Sequence, residues 1–301
     1  DDCRELESMP ARIAFVGGGF ISFEFAHFAA RLGANQNAVH ILEVNSRPLG
    51  PFDEDMVNQL MEASKAEGIH IHTEVVISQI TQADSNLQIQ LESGKTLEVD
   101  LVVNGAGRAP NIESLELDNA DVKFSKSGIE VDLSMMTSQS HIFAVGDCAA
   151  SLMLARVGDR EAQIAAAAVV AAEEGGELPN IDYSAAPAVL FTYPQLGMVG
   201  KTEETLKEEG IKYWKSYDIQ LSWPTYRRLG MKHAAYKILV DENDQILGAH
   251  FLSDNTTGML NTFKQAMIDK TPIGKLRDDN IMAPYPSRES DILYMLNPLL
   301  E

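Results

Sequence analysis

Residues 12–24 read Arg12-Ile13-Ala14-Phe15-Val16-Gly17-Gly18-Gly19-Phe20-Ile21-Ser22-Phe23-Glu24. Ile13 to Val16 is a short apolar run, enough for one strand of a parallel sheet buried on both faces. Three glycines follow, then a helix-like run through Leu32 that stops at Gly33. Strand, tight turn and helix form the context in which a Gly-rich turn binds a dinucleotide. Gly17 lets the chain reverse sharply. Gly19 lacks a Cβ, so a pyrophosphate can approach the backbone, and the helix aims free N–H groups and a positive dipole end at it. The third glycine position holds Ser22, which predicts slightly looser packing of helix on strand.

A second strand, Ala38 to Leu42, ends in Glu43. A carboxylate there can accept hydrogen bonds from both ribose hydroxyls of an adenosine and repels a 2′-phosphate, favouring NADH over NADPH. Arg47 argues the other way, but Glu43 closes the strand directly.

The chain has 301 residues, 45% of them apolar, with 24 Lys plus Arg against 44 Asp plus Glu and a net charge of −20. Such a charge disfavours nucleic acid and anionic membranes as partners. No apolar run approaches the roughly eighteen residues a membrane helix needs. The start, Asp1-Asp2-Cys3-Arg4-Glu5, lacks a signal-peptide pattern, and a reducing cytoplasm fits the two cysteines, Cys3 and Cys148. Cys3 reads as a free thiol and Cys148 as a small semi-buried residue.

Residues 1–10 read as a linker. Asp53 to Ala66 is an amphipathic crossover helix stopped by Gly68. Ile69 to His72 is a third strand, on which His70 and His72 face one side, as metal ligands would. Without further ligands they read as two histidines on a partly exposed strand, and no metal site is expected. Thr73–Thr81, Leu87–Leu91 and Thr96–Val99 alternate as an antiparallel meander. Leu101 to Val103 is a buried strand that runs into the rigid turn Asn104 to Asn111. Ile142 to Val145 reads as another buried strand ending in Gly146-Asp147, and Glu161 to Glu174 as an Ala-rich helix. Beyond Tyr183, strands at Ala188–Thr192, Tyr213–Ile219, Ala235–Val240 and Gln245–Leu252 join helices at Thr256–Asp269 and Ser287–Leu296. Asp241 to Asp244 reads as a hairpin turn, since it lacks the glycine and distal glutamate of a calcium loop. The sum is an α/β chain: a Rossmann-like nicotinamide-binding domain with an inserted meander, then an α+β domain.

These motifs together resemble the pyridine nucleotide–disulfide oxidoreductase family of the glutathione reductase type. Gly17 to Glu24 resembles its nicotinamide fingerprint, and Gly105 to Asn111 its Gly-Arg-x-Pro-Asn turn. Thr137 to Asp147 resembles its second flavin-binding segment. Phe191-Thr192-Tyr193-Pro194 through Glu203 resembles the opening of its dimerisation domain. The resemblance implies domains at 1–118 (NAD-binding), 119–182 (second half of the FAD-binding region) and 183–301 (dimerisation). It implies that Gly17, Gly19 and Glu43 hold NADH. Phe20 is then the aromatic lid over the nicotinamide site, Glu24 the acid near the flavin, and Asp147 a ligand of FAD. Ile21, Gly107, Arg108 and Gly146 complete the cofactor-binding set.

No catalytic residue is assigned. The family's N-terminal flavin domain and Cys-x4-Cys pair are not found. Tyr285-Pro286 stands where disulfide reductases carry His-Pro, and a free tyrosine, titrating near pH ~10, is a poor proton shuttle. The expectation is the NADH-binding and dimerisation part of an FAD-dependent oxidoreductase, inactive alone and homodimeric, with hydride passing from NADH to flavin in a longer parent. The residues themselves leave open a stand-alone dinucleotide-binding or sensing module.

Overall fold

The structure is a computed structural model that describes residues 6–34 and 38–300. Cys3 and the first half of the expected linker lie outside the described residues. The chain divides into two compact units, one made of Asp1–Gly107 with Pro187–Glu301 and the other of Arg108–Ala186.

The first unit begins with β1 (Ile13–Val16), α1 (Phe20–Leu32), β2 (Val39–Leu42), α2 (Glu54–Ala66) and β3 (Ile69–His72). A meander, β4 (Ile77–Ala83), β5 (Asn86–Leu91) and β6 (Thr96–Val99), precedes β7 (Leu101–Asn104). The parallel sheet has the order β3-β2-β1-β7. β1 is central because both its faces are apolar. Ile13 and Phe15 pack with Phe23 of α1 and Met56 and Leu60 of α2. Ala14 and Leu42 pack beneath Ile89 and Val99 of the meander. β7, expected to be buried, is a half-buried edge strand.

The meander starts later than alternation alone suggests. The N–H groups of Glu74 and Val75 donate to the carbonyls of Asn45 and Glu43 (3.0 and 2.9 Å), so this stretch is tied to the end of β2. α2 is capped as its sequence predicts, with Asp53 accepting from the amides of Asp55 and Met56.

In the second unit the only ladder among the described residues joins β8 (Phe124–Ser125) to β9 (Gly128–Ile129). Ile142 to Val145 is not a strand: it pairs with residues 135–137 only through an isolated bridge, Met136 to Phe143, flanked by the Thr137 amide on the Ile142 carbonyl (2.9 Å) and the Ala144 amide on the Met135 carbonyl (3.1 Å), too short a pairing to make a ladder. The Ala-rich helix, α3 (Ala155–Glu174), begins well over one turn before the expected Glu161. Leu154-Ala155-Arg156-Val157 favours helix, and no proline delays it.

The first unit resumes with β10 (Ala188–Leu190), β11 (Gln195–Gly200), α4 (Glu203–Glu208), β12 (Trp214–Asp218) and α5 (Pro224–Arg227). It ends with β13 (Ala235–Val240), β14 (Ile246–Ser253), α6 (Thr256–Ile268), α7 (Ile273–Asp279) and α8 (Ile292–Leu296). The five strands form an antiparallel sheet, order β10-β11-β14-β13-β12. β11 carries two glycines and was not expected. A methyl at Gly197 would lie 2.2 Å from Thr256 Cγ2 and 2.6 Å from Leu260 Cδ1, so glycine is what lets α6 rest on the strand. Asp241 to Asp244 is the expected hairpin turn, with Asp241 Oδ1 accepting from Asn243 and Gln245 amides at 2.8 and 2.9 Å. The fold class matches the expectation: a parallel α/β sheet with an inserted meander, followed by an antiparallel sheet with helices.

Candidate dinucleotide site and flavin-type turn

The three glycines differ in what they do. Gly17 has φ +90°, and a methyl there would lie 2.7 Å from Ala106 Cα, so both conformation and space require glycine. At Gly18 a methyl would meet Glu43 Oε2 and Pro48 Cβ, both at 2.7 Å. Gly19 is extended (φ −82°, ψ 176°), caps α1 with no side chain, and would set a Cβ into open space, 3.8 Å from the Gly105 carbonyl. Among the described residues no side chain comes within 4 Å of that point, and the first amides of α1 lack a capping side chain. The residues therefore fit an anion seated on the turn.

Ser22 corrects the expectation of loose packing. It is fully buried, and a methyl at Gly105 would lie 2.1 Å from its Oγ. Helix and strand pack tightly because the missing side chain has moved from Ser22 to Gly105 on the facing segment.

Glu43 is buried, and three amide hydrogens already reach its carboxylate. Oε2 accepts from Gly18 N at 2.5 Å, while Oε1 accepts from Asn45 N and Nδ2, each at 2.7 Å. A carboxylate offers about four acceptor sites, so about one remains. Glu43 thus builds the glycine turn as well as charging the end of β2. Arg47 turns away: its guanidinium donates to the carbonyls of Phe52 (3.3 Å) and Gly50 (3.1 Å).

Phe20 stands 45% exposed at the first turn of α1, beside half-buried Ile21. Glu24 Oε1 accepts the N–H of Phe191 at 2.8 Å, joining α1 to the segment before β11. One turn on, His27 is buried, a residue that sequence reasoning passed over. Ser64 Oγ donates to the Leu60 carbonyl, so His27 Nε2 donates to Ser64 (2.9 Å) and Nδ1 faces the Tyr193 amide at 3.5 Å. Burial, then the nearby Arg31 charge, lowers its pKa to about 4.

In the second unit, Gly146 has φ +68°, and its N–H donates to Glu161 Oε2 at 2.7 Å. Glu161 is fully buried, and Tyr183 donates its hydroxyl to Oε1 at 2.8 Å. Burial, then the hydrogen bond to Glu161, raises the phenol's pKa, which keeps it a donor. No sequence signal singled out Glu161 within an Ala-rich helix. Asp147 is exposed and pairs with Arg108 (Nη1 to Oδ2, 2.8 Å). Arg108 to Asn111, Asp147, Cys148 and Met153 line a cavity of about 350 Å³. Gly107, the residue at which the first unit ends, has φ +119° and open space where a side chain would stand. A carboxylate able to accept from hydroxyls, a guanidinium for phosphate and a glycine turn fit the ribityl–phosphate part of a flavin. No helix among the described residues is long and apolar enough to cross a membrane.

Residues 1–175 match the family profile described as pyridine nucleotide-disulphide oxidoreductase, and residues 186–292 match that family's dimerisation domain. The chain belongs to the pyridine nucleotide-disulphide oxidoreductase family. Among its relatives, a dihydrolipoyl dehydrogenase of Staphylococcus aureus is 36% identical over 210 residues, covering 68% of this chain and 43% of that protein. A dihydrolipoyl dehydrogenase of Cupriavidus necator is 31% identical over 264 residues, covering 85% and 54%. The chain therefore spans about half the length of the curated relatives it matches. The HOCl-induced flavoprotein disulfide reductase RclA of Escherichia coli superposes with TM-score 0.86 at 25% identity, over 98% of this chain and 66% of that one. LpdA of Mycobacterium tuberculosis shares the fold, with TM-score 0.87 at 20% identity over 99% and 63%.

Proposed function

We propose that the chain is the NADH-binding and dimerisation part of an FAD-dependent oxidoreductase, in which hydride passes from nicotinamide to flavin in a longer protein. The carrying observation is the Gly17–Gly19 turn, where uncapped helix amides face a volume that no side chain occupies. A diphosphate seated there accepts those amides and meets the positive end of α1. Phe20 and Ile21 then flank the nicotinamide end, and Glu24 fixes the loop beside it through Phe191.

NADH is favoured over NADPH. Glu43 places a negative charge and about one free acceptor site at the end of β2, and the guanidinium of Arg47 is committed to carbonyls instead of a 2′-phosphate. Gly107, Arg108, Gly146 and Asp147 would hold FAD, which when bound supplies the ring that accepts hydride. Family membership and the flavoprotein among the structural neighbours support this part. The dimerisation-domain match supports a homodimer, with Ile281, Met282, Tyr285 and Tyr294 as its exposed apolar surface. A reducing cytoplasm is the compartment that suits it. Tyr285 in place of an imidazole argues against ordinary disulfide reduction as the onward step.

Calorimetric titration with the two reduced nucleotides tests the reading. NADH is expected to bind at least about tenfold more tightly than NADPH, roughly the discrimination of one misplaced phosphate charge. Equal affinity, or tighter NADPH, overturns the role given to Glu43.

A further inference from the structure

The histidines that the sequence showed on β3 have a partner on β2. The two strands run parallel, with His40 opposite His70 and Leu42 opposite His72. Val39, Ile41 and Ile69 point into the core shared with α1 and α2, so by alternation His40, His70 and His72 share the opposite face. His40 Nδ1 lies 3.2 Å from His72 Nε2. The ring of His70 stacks on that of His40, centroids 5.2 Å apart.

We infer that His40 Nδ1 and His72 Nε2 form a two-nitrogen chelate for a divalent transition-metal ion of the Zn²⁺ or Cu²⁺ class. Metal–nitrogen bonds of ~2.0–2.1 Å at an angle between square and tetrahedral set two ligand nitrogens ~2.9–3.4 Å apart. The observed 3.2 Å falls inside that range, on adjacent paired strands whose spacing is fixed by the sheet. Without metal, one proton is shared between the two nitrogens. On binding, the donor ring changes tautomer, giving up this proton to solvent and taking one at its other nitrogen, so no net proton is released and both lone pairs turn to the ion, through χ2 torsions that have broad wells. The stacked ring of His70 holds His40 in place. Lys95 lies close enough to disfavour positive charge at His72, which weakens the site without closing it.

Among the described residues no group of three or more His, Cys, Asp or Glu side chains is arranged to hold a metal ion. The protein thus supplies two ligands and water the rest, which makes an exchangeable site and not a closed structural one. The Irving–Williams order puts Cu²⁺ above Zn²⁺ in affinity.

The full chain is titrated with ZnCl2 and with CuCl2 at neutral pH by competition against a chelating indicator. Wild type is expected to show saturable binding that weakens at least about tenfold in each of His40→Gln and His72→Gln, the loss typical of removing one strong donor. The exposed His141→Gln is expected to retain it. Far-UV circular dichroism confirms that each variant folds. Electron paramagnetic resonance of the Cu²⁺ form is expected to show nitrogen couplings that diminish in both ligand variants. Absence of saturable binding, or binding that survives both His40→Gln and His72→Gln, overturns the inference.

Discussion

Gly17 and Gly19 flank the same glycine yet need to be glycine for different reasons. Gly17 is fixed by the fold, through its positive φ and the backbone of Ala106 against it. Gly19 adopts a conformation open to any residue and has room for a side chain, so the fold alone does not ask for glycine there. Glu43 works on both levels, since its carboxylate takes the Gly18 amide and both donors of Asn45. Glu43→Gln turns an acceptor into an amide that meets N–H groups. Leaving one buried donor unpaired costs about 1–3 kcal/mol, and urea denaturation is expected to show a loss of that size together with weaker NADH binding.

At the scale of elements, a buried charge cluster ties α2 to the antiparallel sheet. Lys237 on β13 is 1% exposed and reaches Asp53 (2.9 Å), Asp55 (2.7 Å) and Glu203 (2.9 Å). The lysine and its hydrogen-bonded carboxylate neighbours offset each other's desolvation: bonds to Lys237, Tyr213, Lys215 and Lys207 hold the Glu203 carboxyl well below its usual range despite burial. Lys237→Met leaves the carboxylates facing one another and is expected to cost about 3–5 kcal/mol in chemical denaturation; a loss under about 1 kcal/mol would refute the cluster's role.

Sequence reading found β1, β2, α2 and β13 because each carries its own period and its own stop: an apolar run into Gly17, Glu43 or Asp241, or an Asp cap into Gly68. It found the glycine turn and Glu43 because that motif is local. It missed β11, whose glycines suit α6 and lower strand propensity. It overread Ile142 to Val145, an apolar run whose pairing with residues 135–137 stops at a single bridge. Glu161 and His27 were invisible, since their roles depend on a Gly146 amide and a Tyr193 amide that only tertiary structure brings near. Gly105 compensating for Ser22 is a relation across the sheet, which no single-segment pattern records.

For the whole molecule, pH is the most direct lever. The folded pKa of His27 is about 4, and His40, His72 and His250 are shifted the same way, each first by burial. Between the unfolded value of ~6.5 and the folded one, the unfolded chain binds protons that the native state refuses, so stability rises with pH there. The contribution is complete above pH ~6.5 and is lost as pH falls toward ~4, with His27 alone worth at most about 3 kcal/mol. Thermal melts from pH 7.5 to 4.5 are expected to fall steadily, and a flat profile would contradict the neutral, buried assignment of His27.

The proposed dinucleotide site needs the space before Gly19 free for a diphosphate. Titration of NADH into wild type and Gly19→Val, with the melting temperature of each recorded, tests it most directly. Wild type is expected to bind NADH saturably, and Gly19→Val to lose at least about tenfold in affinity while melting within a few degrees of wild type. A Gly19→Val chain that binds NADH as tightly as wild type would contradict it.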